Sequence, residues 1–163
     1  MNSELGPVDP LARLAAGATL PDAGRVESLH RVLVVGAGPA GLCAALTLAK
    51  AGVPVTVCEK GDGLATESRA STFHPPTLEL LEELGLADEV IARGLKAPTT
   101  QFRDRRSGPV ATFDLGVLSE QTPFPFRIQL EQNKLCELII ERLPSLRDSS
   151  DWDIDVRFGW RAH

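Results

Sequence analysis

The chain has 163 residues, 43% of them hydrophobic and 24% charged, with a formal net charge of −5 at pH 7. That is the balance of a globular domain, and its negative sign speaks against a general affinity for nucleic acid or anionic membrane surfaces. No apolar run is long enough to span a bilayer, and the N-terminus lacks the basic-then-apolar order of a secretory signal.

Residues 1–29 are rich in Gly, Pro, Ala and Asp and read as a mobile leader, with Leu11 to Ala16 the one stretch able to form a helical turn. The domain proper is expected over residues 30–163. It opens with RVLVVGAGPAGLCAALTLAKAGVPVTVCEK at 31–60. The apolar run Val32 to Val35 predicts a parallel strand buried on both faces. Gly36 lets the chain turn sharply out of that strand. Gly38 lacks a Cβ, so a diphosphate can approach the backbone, and Gly41 permits close helix–strand packing. Pro39 and Ala40 open a helix that runs to about Ala51. Leu42, Leu46 and Ala49 form its apolar stripe, and Gly52 stands at the C′ position. The helix start directs free N–H groups and a positive dipole end at an anion.

A second strand through Val53, Val55, Val57 and Cys58 ends at Glu59, with Lys60 beside it. A carboxylate at that point accepts hydrogen bonds from ribose hydroxyls and repels a 2′-phosphate. Strand, glycine turn, helix, strand and acid together make a dinucleotide-binding βαβ fingerprint. An ordinary glycine-rich turn would not need the acid or the helix cap.

Residues 61–74, GDGLATESRASTFH, carry no apolar period and read as a loop. Pro75 and Pro76 then start a helix with Leu78, Leu81 and Leu84 on one face and Gly85 at its end. A shorter helix is expected over Asp88 to Arg93, stopped by Gly94. From Thr99 to Asp114 the pattern becomes that of a β-hairpin around Arg106-Ser107-Gly108-Pro109. Its Arg103, Arg105 and Arg106 read as a solvated tip. Phe124 and Phe126 follow in a proline-spaced segment. Residues 131–143 form an amphipathic helix that Pro144 is expected to stop. DWDIDVRFGW alternates as a last strand. Parallel sheets usually need more strands than this, so the reading expects the opening part of a larger protein.

Cys43, Cys58 and Cys136 are odd in number and have no CxxC spacing, which suits reduced thiols in the cytoplasm. His30, His74 and His163 are far apart, and no metal-ligand spacing is present. No serine stands in a nucleophile-elbow turn.

The fingerprint VLVVGAGPAGLCAALTLAKAGVPVTVCEK, then RASTFHPPTLELLEELGL, then FPFRIQLEQNKLCELIIERL occur in this order. Together they resemble the N-terminal part of FAD-dependent aromatic-ring monooxygenases, the group of p-hydroxybenzoate hydroxylase and phenol 2-monooxygenase, over roughly residues 30–160. The resemblance implies an α/β, Rossmann-like FAD/NAD(P)-binding domain, incomplete here. Its β-hairpin would belong to a mostly missing substrate domain. It implies FAD as cofactor, NAD(P)H as co-substrate and an aromatic, often phenolic, substrate that is hydroxylated. By the same resemblance Gly36, Gly38 and Gly41, with Pro39 and Ala40, hold the FAD diphosphate. Glu59 holds the adenosine ribose, with Lys60 alongside. Arg69 lies near the cofactor and the nicotinamide approach path, Gln132 contacts the flavin side, and Arg127 is a further candidate near the same strand end. The family's Asp-Gly and Gly-Asp motifs are not found, and Cys136 stands where many relatives carry an acid. Two other readings share the fingerprint: a non-catalytic dinucleotide-binding module or pseudo-enzyme subunit, and an NAD-dependent dehydrogenase. The latter fits poorly, because the segments after Glu59 do not repeat a βα half-domain.

Overall fold

The computed structural model describes residues 31–67, 70–150 and 152–162, without the side chains of residues 149 and 150. The expected leader, and Arg69, lie outside the described residues. In chain order the elements are β1 (Val32–Val35), α1 (Pro39–Lys50), β2 (Val55–Cys58), β3 (Thr72–Phe73), α2 (Pro75–Glu83), α3 (Ala87–Arg93), β4 (Leu95–Ala97), β5 (Thr99–Asp104), β6 (Gly108–Asp114), a 3-10 turn (Leu115–Leu118), β7 (Arg127–Gln129), α4 (Gln132–Ser150) and β8 (Ile154–Arg157).

The βαβ unit folds as its sequence dictates. β1 and β2 pair in parallel, Val32 opposite Val55 and Val35 opposite Cys58. β8 adds to the far side of β2, also in parallel, giving the order β1-β2-β8. α1 connects the first two strands and packs back on their inner face. Its Leu42, Ala45, Leu46 and Ala49 are buried with Val55 and Val57 of β2. The helix ends as a Schellman motif, with Gly52 at φ 76° donating to Ala49 and Val53 donating to Leu48. On its other side α1 meets α4, whose Leu135, Leu138 and Ile139 complete the core. α2 begins at Pro75 after an extended His74 and buries Leu78 and Leu81, as the leucine spacing requires.

Four expectations are corrected. β1 is not buried on both faces: Val34 packs on the core, while Leu33 is 57% and Val35 64% exposed. A run of apolar residues reports that both faces are apolar, not that both are covered. Among the described strands β1 has a neighbour only on the β2 side. Second, the loop over 61–74 contains β3, and Leu95–Ala97 forms β4. Both pair antiparallel with β7 in a separate sheet of order β3-β7-β4. Strands of two and three residues have no period to read. They exist because the Ile128 strand offers them backbone partners.

Third, α4 does not stop at Pro144 but runs on to Ser150. The ring removes one hydrogen bond and crowds the preceding turn, a cost of about 3 kcal/mol. Against it stand buried Leu143, Leu146 packed on the core, and the guanidinium of Arg147, which donates to the carbonyl of Ile154 and ties the last turns to β8. Beyond the proline the helix is held by half-buried Leu146 and by the Arg147 contact. The fourth is a boundary: the shorter helix begins at Ala87 rather than Asp88.

The hairpin β5–β6 forms where the pattern places it, with a bulge between Phe102 and Arg103. Its Phe102 and Phe113 meet edge to face at 5.8 Å while staying largely exposed.

Candidate functional site

The site grows out of the turn between β1 and α1. Gly36 sits at φ 105°, in the left-handed region that side chains rarely adopt, and its N–H donates to Cys58 O at 2.8 Å. Gly38 is the N-cap of α1 and supplies no side chain to the cap, with Pro39 next in the first turn. The first N–H groups of α1 are therefore free for an anion. Gly38 and Gly41 do different jobs. A Cβ at Gly38 would meet nothing within 4 Å, so the missing side chain leaves open space in front of the helix. A Cβ at Gly41 would collide with the carbonyl oxygen of Gly36 and press on Val34, so that glycine serves packing.

Glu59 leaves the end of β2 and reaches back across this turn. Its Oε2 accepts from Ala37 N at 2.9 Å and its Oε1 from Gly61 N at 2.9 Å. These donors, Gly61 first and Ala37 second, hold the carboxyl below the usual glutamate range, and Lys60 adds to the effect. The ionised group thus stands fixed beside the glycine turn with lone pairs to spare. A carboxyl lowered in the folded state stabilises the fold above its unfolded value. That contribution fades as pH falls through the lowered value. Glu59→Gln is expected to flatten the acid limb of a melting-temperature profile taken between about pH 3 and pH 7. An unchanged acid limb would contradict the role of these two contacts.

A cavity of about 360 Å³ opens between the turn and α4, walled by Ala37, Gly38, Pro39, Glu59, Lys60, Gln132 and Asn133. A second, about 280 Å³, lies against Pro39, Ala40, Thr72, Phe73 and Gln132. Gln132 and Pro39 stand in both walls, so one elongated ligand could run past the α1 N-terminus from one space into the other. A third space of about 290 Å³ adjoins Gly36, Glu59, Lys60 and Trp160. The chain after β8 is fastened there by Gly159 N to Gly61 O at 2.8 Å and Trp160 N to Glu59 O at 2.9 Å. A further hollow, about 600 Å³, lies at β8 among Arg31, Arg147, Asp153, Asp155 and Arg157. Its carboxylates are spent on two of its arginines, Arg31 with Asp153 and Arg157 with Asp155, both at 2.6 Å, and Arg147 donates to the carbonyl of Ile154. We therefore place the site at the glycine turn.

Of the residues expected from the sequence, Gly38, Pro39, Glu59, Lys60 and Gln132 wall the first cavity. Ala40 walls the second and Gly36 the third, while Gly41 sits behind the turn. Arg69 lies outside the described residues. Arg127 lines none of these spaces. Its Nη2 donates to Thr99 O at 3.1 Å and ties the hairpin to β7. Ala37 and Asn133 were not anticipated. Ala37 acts through its backbone N–H, which no side-chain pattern announces, and Asn133 is an unremarkable polar residue in a helix start. Cys136 also faces the first cavity, and burial pushes its thiol up to about 11, so it is a neutral wall group. Among the described residues no group of three or more His, Cys, Asp and Glu could hold a metal ion. No helix there is long and apolar enough to cross a membrane.

The residues fit a dinucleotide on the structure's own terms: free N–H groups at α1, room at Gly38 for a diphosphate, and a fixed carboxylate one strand away for a ribose. Fold and site thus define a Rossmann-like dinucleotide-binding domain. Comparison makes this specific. The family model described as "FAD binding domain" matches residues 30–149, and the chain belongs to that family. It is 36% identical over 137 residues to para-nitrophenol 4-monooxygenase of Pseudomonas sp. (strain WBC-3), covering 84% of this chain and 33% of that protein. With 6-methylpretetramide 4-monooxygenase of Streptomyces rimosus the identity is 38% over 127 residues, 77% of this chain and 22% of the relative. Among solved structures, p-nitrophenol 4-monooxygenase from Pseudomonas putida DLL-E4 superposes with a TM-score of 0.73 at 35% identity, over 80% of this chain and 32% of that one. Aklavinone-11 hydroxylase, solved with FAD and aklavinone, gives a TM-score of 0.64 at 31% identity, over 83% of this chain and 26% of that one. The chain spans about a third or less of the length of the relatives it matches.

Proposed function

We propose that the chain is the FAD-holding part of a flavin-dependent monooxygenase that hydroxylates aromatic, phenol-like compounds with NAD(P)H as electron donor. The observation that carries the reading is the cavity at the α1 N-terminus, where open space at Gly38 and the fixed carboxylate of Glu59 border one space. The family match over residues 30–149 supports it, as do relatives named for oxidising para-nitrophenol and pentachlorophenol. FAD, when bound, supplies the redox chemistry. The tasks of this chain are to neutralise the diphosphate at the α1 N-terminus, to hold a ribose on Glu59, and to line the continuing space with Gln132 and Phe73. The carboxylate at 59 disfavours a 2′-phosphate at that position. A cytoplasmic location belongs to the same reading and is supported by three unpaired cysteines.

The test is a titration of FAD into the purified chain, read by flavin fluorescence. Saturable one-to-one binding is expected, and a folded chain that leaves FAD fluorescence unchanged would overturn the reading. The exposed Leu33 and Val35 of β1 favour a second reading, a dinucleotide-binding module that works only against a further polypeptide. Isolation of the chain in a stable complex with a second polypeptide, with no flavin required, would support it.

A further inference from the structure

One polar atom beside the cofactor cavity is left unsatisfied by the folded chain. Asn133 stands one residue into α4, and it lines the 360 Å³ cavity together with Gly38, Pro39 and Gln132. Its Oδ1 is shielded from solvent and accepts no hydrogen bond. Its Nδ2 is occupied, donating to Glu137 Oε1 at 3.3 Å. Glu137 is in turn held by Lys134, Nζ to Oε2 at 3.0 Å. A carboxylate only accepts, so it fixes the sense of the amide: the N–H end faces Glu137 and the carbonyl end faces away. The opposite sense would set two acceptors against each other.

A shielded acceptor without a donor is a cost that folded proteins rarely leave standing. No donor of the folded chain meets it here. The torsion that aims an asparagine amide is broad, so a modest rotation brings Oδ1 toward the cavity at little expense. The hydrogen bond to Glu137 is already long at 3.3 Å and can follow that rotation. What Oδ1 then needs is a donor. A diphosphate has none to offer, whereas a sugar or ribityl hydroxyl does. Glu59 takes its ribose from the strand side of the cavity, and Asn133 stands across from it on the helix side.

We propose that Asn133 is a hydroxyl-recognising residue of the cofactor cavity, its Oδ1 accepting a hydrogen bond from an O–H of the bound dinucleotide. The inference rests on the FAD-binding reading above. The hydroxyl belongs either to the ribose of the adenosine half or to the ribityl chain, and ADP carries only the first.

The test titrates FAD and ADP separately into the parent chain, Asn133→Leu and Asn133→Ala, with a melting curve of each chain without ligand. Both variants are expected to bind FAD about 5- to 30-fold more weakly, the loss of one neutral hydrogen bond and its geometry. Asn133→Leu, which removes an unsatisfied acceptor, should keep or raise the unliganded melting temperature. A residue that merely held the fold would lower both together. An equal loss for ADP assigns the hydroxyl to the adenosine ribose, and a loss confined to FAD assigns it to the ribityl chain. Two variants that bind FAD as tightly as the parent would overturn the proposal alone. A folded parent that binds no FAD would overturn the FAD reading, and this inference with it.

Discussion

Gly38→Val is expected to leave the chain folded and to weaken FAD binding about 100-fold or more. The backbone at Gly38 has φ −78° and ψ 176°, ordinary extended values that valine adopts without strain. A Cβ there meets nothing within 4 Å, so the fold has no objection to the side chain. The objection comes from the ligand. Two methyl groups would stand in front of the α1 N-terminus and hold a diphosphate away from its N–H groups. Hydrogen bonds from backbone N–H to a charged oxygen contribute about 1.5–3 kcal/mol each, and losing two of them gives the factor stated. The measurement is a pair: a melting curve within a few degrees of the parent, and a fluorescence titration that no longer saturates. A Gly38→Val chain that binds FAD like the parent would remove the diphosphate from the glycine turn. The cavity would then need another occupant.

How far the sequence carries the structure depends on the range of the interaction that makes each part. The β1–α1–β2 unit is legible because its determinants are local. Gly36 must turn, Pro39 opens a helix, and Gly52 closes it within residues of where each stands. Glu59 is legible as an acid at a strand end, but its partners are not. The N–H groups of Ala37 and Gly61 belong to the folded turn rather than to any residue type. The second sheet is not legible. β3 and β4 are too short to show a period and are strands only because β7, 30 to 57 positions later in the chain, pairs with them: Ala97 with Arg127 at the near end, Thr72 with Gln129 at the far end. Pro144 misleads for the same reason. The local rule stops the helix, and the contacts of Leu146 and Arg147, made elsewhere in the fold, continue it. Asn133 has no sequence signal at all. Its interest lies in an absent hydrogen bond, which only the packed cavity wall creates.

Gly41→Ala, the smaller substitution chemically, is expected to damage the fold itself. Gly41 lies in the first turn of α1, directly above the chain as it leaves β1. A Cβ there would collide with the carbonyl oxygen of Gly36, a backbone atom with no rotamer to move. The same Cβ would stand 3.2 Å from the carbonyl carbon of Gly36 and 3.3 Å from Cγ1 of Val34, so the helix cannot tilt away on that side. The remaining relief is to lift α1 off the sheet. That breaks the contact of Leu42, Ala45 and Leu46 with Val55 and Val57 at the centre of the core. Overpacking costs typically about 1–3 kcal/mol where side chains can adjust, and backbone against backbone belongs at the upper end or beyond. At about 2–4 °C per kcal/mol for a domain of this size, a melting temperature lower by roughly 6–12 °C is expected. FAD binding would fall as well, since lifting the helix moves the N–H groups that face the diphosphate, but added FAD should raise the melting temperature of what remains folded. The contrast is the test. Gly38→Val should lose ligand and keep stability, whereas Gly41→Ala should lose stability first. A Gly41→Ala chain that melts with the parent would mean that α1 sits farther from β1 than these contacts require.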